Sequence, residues 1–79
     1  MATAKTGKRY RHYKGKEYTV LALAHHTETL EDLVVYQAEY DTEDFGSKPV
    51  WCRPREMFEG QVEIDGVMKE RFNTLHHNT

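Results

Sequence analysis

Two short runs of this chain set aromatic rings beside cations: Tyr10, Arg11, Tyr13 and Lys14 near the start, and Trp51, Arg53 and Arg55 past the middle. Tyr36 and Tyr40 supply two more rings between them. A ring face accepts a stacked base or an apolar side chain, and a neighbouring guanidinium or ammonium holds an anion. The same residues also have a purely structural use. Rings fill cores, and Trp51 and Phe58 are expected inside. Arginines pair with acids, and the acids here are plentiful. Residues 1–16 hold six of the eleven basic side chains and none of the thirteen acidic ones, which leaves that end at +6, the remainder at −8 and the whole at −2. Such a separation suits an anionic partner or, as the simpler expectation, attraction between two parts of one domain.

Other chemistries find little support. His25 and His26 are adjacent, and strand neighbours point to opposite faces, so they do not chelate one ion easily. His12 stands alone, His76 and His77 fall in a tail, and the chain has no Cys-x-x-Cys or His-x-x-x-His spacing. Cys52 is the one cysteine. Arg53 beside it favours a thiolate, but a lone cysteine on a short strand is expected to be a small buried hydrophobe. The carboxylates are spread over turns, and the five glycines are scattered rather than gathered in a phosphate loop. The expectation is therefore a protein that is not an enzyme, with no cofactor and no metal.

The element that must position the rings is a hairpin within Glu17–Tyr40, with strands at Tyr18–Ala24 and Leu33–Tyr40 and a turn at Thr27–Asp32. Leu, Ala and Glu also favour helix, yet period-2 alternation and Val/Tyr enrichment favour strands. The alternation puts Val20, Ala22 and Ala24, with Val34, Tyr36 and Ala38, on the inward face. Leu21 and Leu23 then also need cover. Upstream, Tyr10 and His12 share one side of a short strand, and Gly15 suits a positive-φ turn. Downstream, Asp41–Lys48 reads as an exposed acidic loop from which Phe45 folds back. Val50–Arg53 reads as a strand, Pro54 starts a single helical turn through Met57 and Phe58, and Gly60 ends it in a left-handed conformation. Asp65-Gly66 is the strongest hairpin signal, setting Ile64 opposite Val67, Glu63 opposite Met68 and Val62 opposite Lys69. Phe72 anchors the far end.

These segments predict a mainly β fold, a small strongly bent barrel or roll of five to six short antiparallel strands with one helical turn. The domain is placed at residues 8–72, with flexible tails at 1–7 and 73–79. No apolar run approaches a membrane span, the N-terminus lacks a signal peptide's apolar core, and a single cysteine permits no intrachain disulfide. A cytoplasmic location is expected.

Several of these runs carry a resemblance. Tyr10-Arg11-His12-Tyr13-Lys14-Gly15, Tyr18-Thr19-Val20 and His26-Thr27-Glu28-Thr29-Leu30-Glu31 come first. Val34-Val35-Tyr36, Trp51-Cys52-Arg53-Pro54, Met57-Phe58 and Arg71-Phe72 follow in order. Together, over Lys8 to Phe72, they resemble a family of short bacterial proteins catalogued as domain of unknown function 1653. The resemblance implies a single bacterial domain with SH3-like barrel character and brings no activity or catalytic residue. Cys52 and the Asp41–Lys48 loop look like this member's own features.

The functional expectation is a non-catalytic binding module that takes a protein or peptide through Tyr10, Arg11, Tyr13, Lys14, Tyr36, Tyr40, Trp51, Arg53 and Arg55. The alternative is nucleic-acid or nucleotide binding by the same surface. Self-association through an unpaired strand edge is a further route.

Overall fold

The central hairpin forms, and the main sheet grows outward from it. The computed structural model describes residues 4–74. Its strands are β1 (Arg9–His12), β2 (Glu17–His25), β3 (Asp32–Ala38), β4 (Asp41–Thr42), β5 (Gly46–Ser47) and β6 (Val50–Pro54). After the helix α1 (Arg55–Glu59) come β7 (Gln61–Ile64), β8 (Val67–Glu70) and β9 (Phe72–Thr74). Five of these strands make one antiparallel sheet in the order β6-β3-β2-β1-β9, while β4-β5 and β7-β8 are separate two-stranded ribbons.

The sheet is strongly bent. Its edges are β6 and β9, which a flat sheet would hold roughly 19 Å apart. Yet the Arg53 guanidinium of β6 lies 5.7 Å from the centre of the Phe72 ring of β9. The sheet therefore coils toward a barrel, and no ladder joins the two edges among the described residues. Paired residues share a face, so the concave side collects Tyr10 and Tyr18, Val20 and Tyr36, Val34 and Arg53, Trp51, His12 and Phe72. Its buried part is Tyr10, Val20, Val34, Tyr36, Ala38 and Phe72, joined by Ala4 and by Phe58 from α1. Phe58 stacks on Phe72 with ring centres 4.0 Å apart and planes 11° from parallel, and both rings meet Tyr36.

Four local expectations change. The inward face of β2 was expected to continue from Val20 through Ala22 and Ala24. Instead Val20 faces Tyr36 while Ala22 faces Val35, so Leu21 is the extra residue of a β-bulge and the alternation reverses there. Leu21, Ala22 and Leu23 are exposed, and Ala24 is half-buried. The Asp41–Lys48 loop folds into its own ribbon: the Thr42 hydroxyl accepts the Phe45 N–H at 2.9 Å, and Ser47 donates to Asp41 at 2.7 Å. Packed structure also extends past residues 8–72. Ala4 is buried with its N–H donated to Glu59, the Lys5 N–H is donated to the Tyr10 hydroxyl, and Asn73 and Thr74 pair with β1. Residues 1–3 and 75–79, including His76 and His77, lie outside the described residues.

The fourth change concerns Gly60. Pro54 occupies the N-cap, one residue ahead of the expected first helical position, and Gly60 follows the helix in extended backbone, φ −86° and ψ −170°. Glycine is needed there for space rather than for handedness. A Cβ would sit 2.7 Å from the Glu56 carbonyl oxygen. The other glycine expectations hold in the backbone: Gly15 has φ +101°, and Asp65 and Gly66 have φ 51° and 80°. That turn gives the β7-β8 register expected from the sequence. Gly60→Ala should lower unfolding stability by about 1–3 kcal/mol through this overlap. Urea denaturation checks it, and an unchanged midpoint would refute the steric account.

Candidate functional site

Where the coiled sheet does not close, its concave face becomes a cleft of about 300 Å³ lined by Tyr18, Tyr36, Tyr40, Trp51, Cys52 and Arg53. Strand register assembles it. Tyr36 lies opposite Trp51 on β6, Tyr18 lies opposite Ala38, and Tyr40 comes two residues after β3 ends at Ala38. Tyr36 is 5% exposed and belongs to both core and cleft. Trp51 is half-buried and is met edge-on by Phe45 at 4.8 Å, so that loop residue folds back while staying 63% exposed. The Tyr18 and Tyr40 hydroxyls hydrogen-bond at 2.5 Å. The Lys16 ammonium sits 4.7 Å from the centre of the Tyr40 ring, within cation–π range.

The electrostatics are one-sided. Among the described residues no acidic one lines the cleft. Arg53 rests on Phe72, its Nη1 is closed off from solvent with no hydrogen-bond partner, and none of the described carboxylates pairs with it. Arg71 Nε is likewise buried without a partner. His12 joins this region by ring contacts to Phe72 at 5.0 Å and Tyr18 at 6.5 Å. Burial, then the charges of Arg53, Arg71 and Lys14, hold its imidazole down at about 4. It is neutral near pH 7, consistent with its Nδ1 accepting the Lys14 N–H at 3.2 Å. Burial raises the Tyr18 hydroxyl, helped by its bond to Tyr40, and raises Tyr36 against the opposing influence of Arg53.

The expected site residues divide. Tyr36, Tyr40, Trp51 and Arg53 come together in the cleft. Tyr13 and Lys14 lie close by on the β1–β2 turn: the Tyr13 ring is 4.4 Å from His12, and the Lys14 ammonium is 5.8 Å from the Tyr13 centre. Tyr10 is a correction. It is 1% exposed, packed edge-on against Phe58 at 5.3 Å, and offers no surface to a ligand. Arg11 pairs with Glu17 at 3.1 Å, and Arg9 reaches Glu39 at 3.3 Å, so part of the basic N-terminal charge is matched within the domain. Arg55 is engaged by Glu59 at 3.0 Å and lines a different, acidic depression of about 390 Å³ with Glu31, Asp32, Pro54, Glu56 and Glu59. Cys52 is exposed rather than buried: it lines the cleft beside Trp51 and Arg53, opposite the half-buried Val35 of β3.

Tyr18, Lys16, Phe45 and His12 were not among the expected site residues. Tyr18 had a readable signal, since it shares the inward parity of Val20, but that face read as ordinary packing. His25 pairs with Asp32 at 3.1 Å, and His26 Nδ1 accepts the Glu28 N–H at 3.1 Å, which gives each a local role. Among the described residues, no three potential metal donors converge, and no helix is long and apolar enough to cross a membrane.

A family model described as "Protein of unknown function (DUF1653)" matches residues 8–74. The chain is also similar to a crystal structure of a DUF1653 protein from Bordetella bronchiseptica, at 32% identity and a TM-score of 0.77, over 99% of this chain and 97% of that one. No match is found among curated proteins.

His12 gives the site a pH signature. The unfolded imidazole takes up its proton as pH falls through about 6.5, whereas the folded one resists until about 4. The unfolded chain binds more protons in that window, so His12 costs the fold stability as pH drops from 6.5 toward 4. The loss of urea midpoint between about pH 7 and about pH 4.5 should be smaller in His12→Asn than in the parent. A His12 titration by NMR at or above 6.5 would contradict this account.

Proposed function

Because this chain belongs to the DUF1653 family, whose description assigns no activity, we propose its role from the cleft itself: it is a bacterial, cytoplasmic, non-catalytic module that binds a short segment of a protein or peptide between Tyr18, Tyr36, Tyr40, Trp51 and Arg53. The observation that carries this reading is the cleft's composition. Four rings with a cation at their side, open to solvent and about 300 Å³ in volume, suit one or two side chains of an extended segment. The bacterial setting draws on the similar Bordetella bronchiseptica structure, and the cytoplasmic one on the single cysteine.

The same rings would also stack bases, but the surrounding charge favours the peptide. A nucleic-acid track needs a row of free cations beside its rings. Here Arg9, Arg11 and Arg55 are each held by a carboxylate, and the neighbouring depression is acidic.

Peptides selected from a random display library against the full chain should change Trp51 fluorescence saturably. Tyr40→Ala, which keeps the reporter, should weaken them by about tenfold or more. Indifference to Tyr40→Ala would sink the cleft reading. Single-stranded RNA is the control: binding that collapses between about 50 and about 200 mM salt would instead favour the nucleic-acid alternative.

A further inference from the structure

We propose that the segment bound in this cleft presents a carboxylate to Arg53, so that the partner is a peptide carrying a free carboxylate beside an apolar or aromatic side chain. This rests on the peptide-binding reading above and adds the chemistry of the ligand.

The arginines of the domain fall into two groups. Arg9, Arg11 and Arg55 each have a carboxylate within ion-pair distance. Arg53 and Arg71 have none among the described residues, and each has a nitrogen closed off from water without an acceptor, Nη1 in Arg53 and Nε in Arg71; of the two, Arg53 lines the cleft. The rest of Arg53 is half-buried and lines the cleft, so its charge is partly withdrawn from water with no counter-charge, a cost that an anion entering the cleft relieves. Among the described residues Arg53 is also the one cation lining the cleft, and no acid lines it to compete.

The geometry favours a carboxylate. The guanidinium rests over the Phe72 ring, and Tyr36 lies alongside it. A planar fork held this way matches the two oxygens of a carboxylate. A phosphate, with more charge and three oxygens, is characteristically held by a cluster of cations or a cradle of backbone N–H groups, and the lining offers neither. The rings of Trp51 and Tyr40 then take the neighbouring side chain. His12 reports on the same field: Lys14, Arg53 and Arg71 all bear on it, each with positive charge. A carboxylate bound at Arg53 adds the missing negative charge and makes the imidazole easier to protonate.

The test uses the full chain and an N-acetylated tripeptide of two glycines and a C-terminal phenylalanine, as the free acid and as the amide. The expected result is binding of the acid at least about tenfold tighter than the amide by Trp51 fluorescence. NMR should show the His12 titration moving upward with the acid and not with the amide. An amidated peptide with glutamate in place of the second glycine distinguishes the source: recovered affinity, absent with glutamine, assigns the carboxylate to a side chain rather than a chain end. Arg53→Gln should erase the acid's advantage and Arg53→Lys restore only part of it. Should Arg53→Gln fail to fold, the acid–amide comparison on the unaltered protein decides alone. Equal binding of acid, glutamate peptide and amide overturns the carboxylate and leaves the peptide cleft standing. No binding of any of them, or of the display-selected peptides, overturns both.

Discussion

Phe58 lying flat on Phe72 is the contact on which the rest of this small fold depends. One ring comes from a five-residue helix and the other from a three-residue edge strand, and neither element is long enough to hold itself in place. Stacked at 4.0 Å and fully buried, they tie the C-terminal segment to the concave face of the sheet. Tyr10, Tyr36 and Tyr18 surround the pair edge-on or tilted, geometries that aromatic quadrupoles favour. A chain of 79 residues buries little surface in total. Large rings give each buried position the most apolar area, and they make the core continuous across β1, β2, β3, β9 and α1.

The same economy explains why core and cleft cannot be separated. Tyr36 belongs to both, packing on Phe58 and Phe72 while lining the cleft. Tyr18 touches Tyr36, Tyr40 and Phe72. Arg53 lies against the core through Phe72 and faces the opening. A ligand settling between Trp51 and Tyr40 would thus rest on the rings that hold the domain together, and binding should be felt directly in its stability.

Much of the architecture was legible because its signals are local. The Asp65-Gly66 turn determines four pairs of β7 and β8 by its own backbone, and the Val/Tyr alternation marks β3. What the sequence hid depends on neighbours distant in the chain. Nothing around Leu21 announces a bulge, because the bulge exists only relative to β3. Gly60 looked like a handedness residue, and only the approach of the Glu56 carbonyl shows that it is a matter of space. The site followed the same division. Tyr36, Tyr40, Trp51 and Arg53 could be picked by residue type, but Tyr10 and Arg55 share those types and face elsewhere. Tyr18 was passed over because packing and lining look identical in a one-dimensional pattern.

The bulge at Leu21 has a meaning beyond its effect on which residues are buried. Were that one residue removed, Val20 could still face Tyr36 and Ala22 could still face Val35, so the ladder would lose no partner and alternation would become regular. What would be lost is the surplus length of one strand over its neighbour, which is what makes a strand bend and twist more sharply. That bend falls in the same sheet whose concave face carries the cleft. Curvature in this protein is thus written partly as a count: one codon more on one side of a hairpin than on the other.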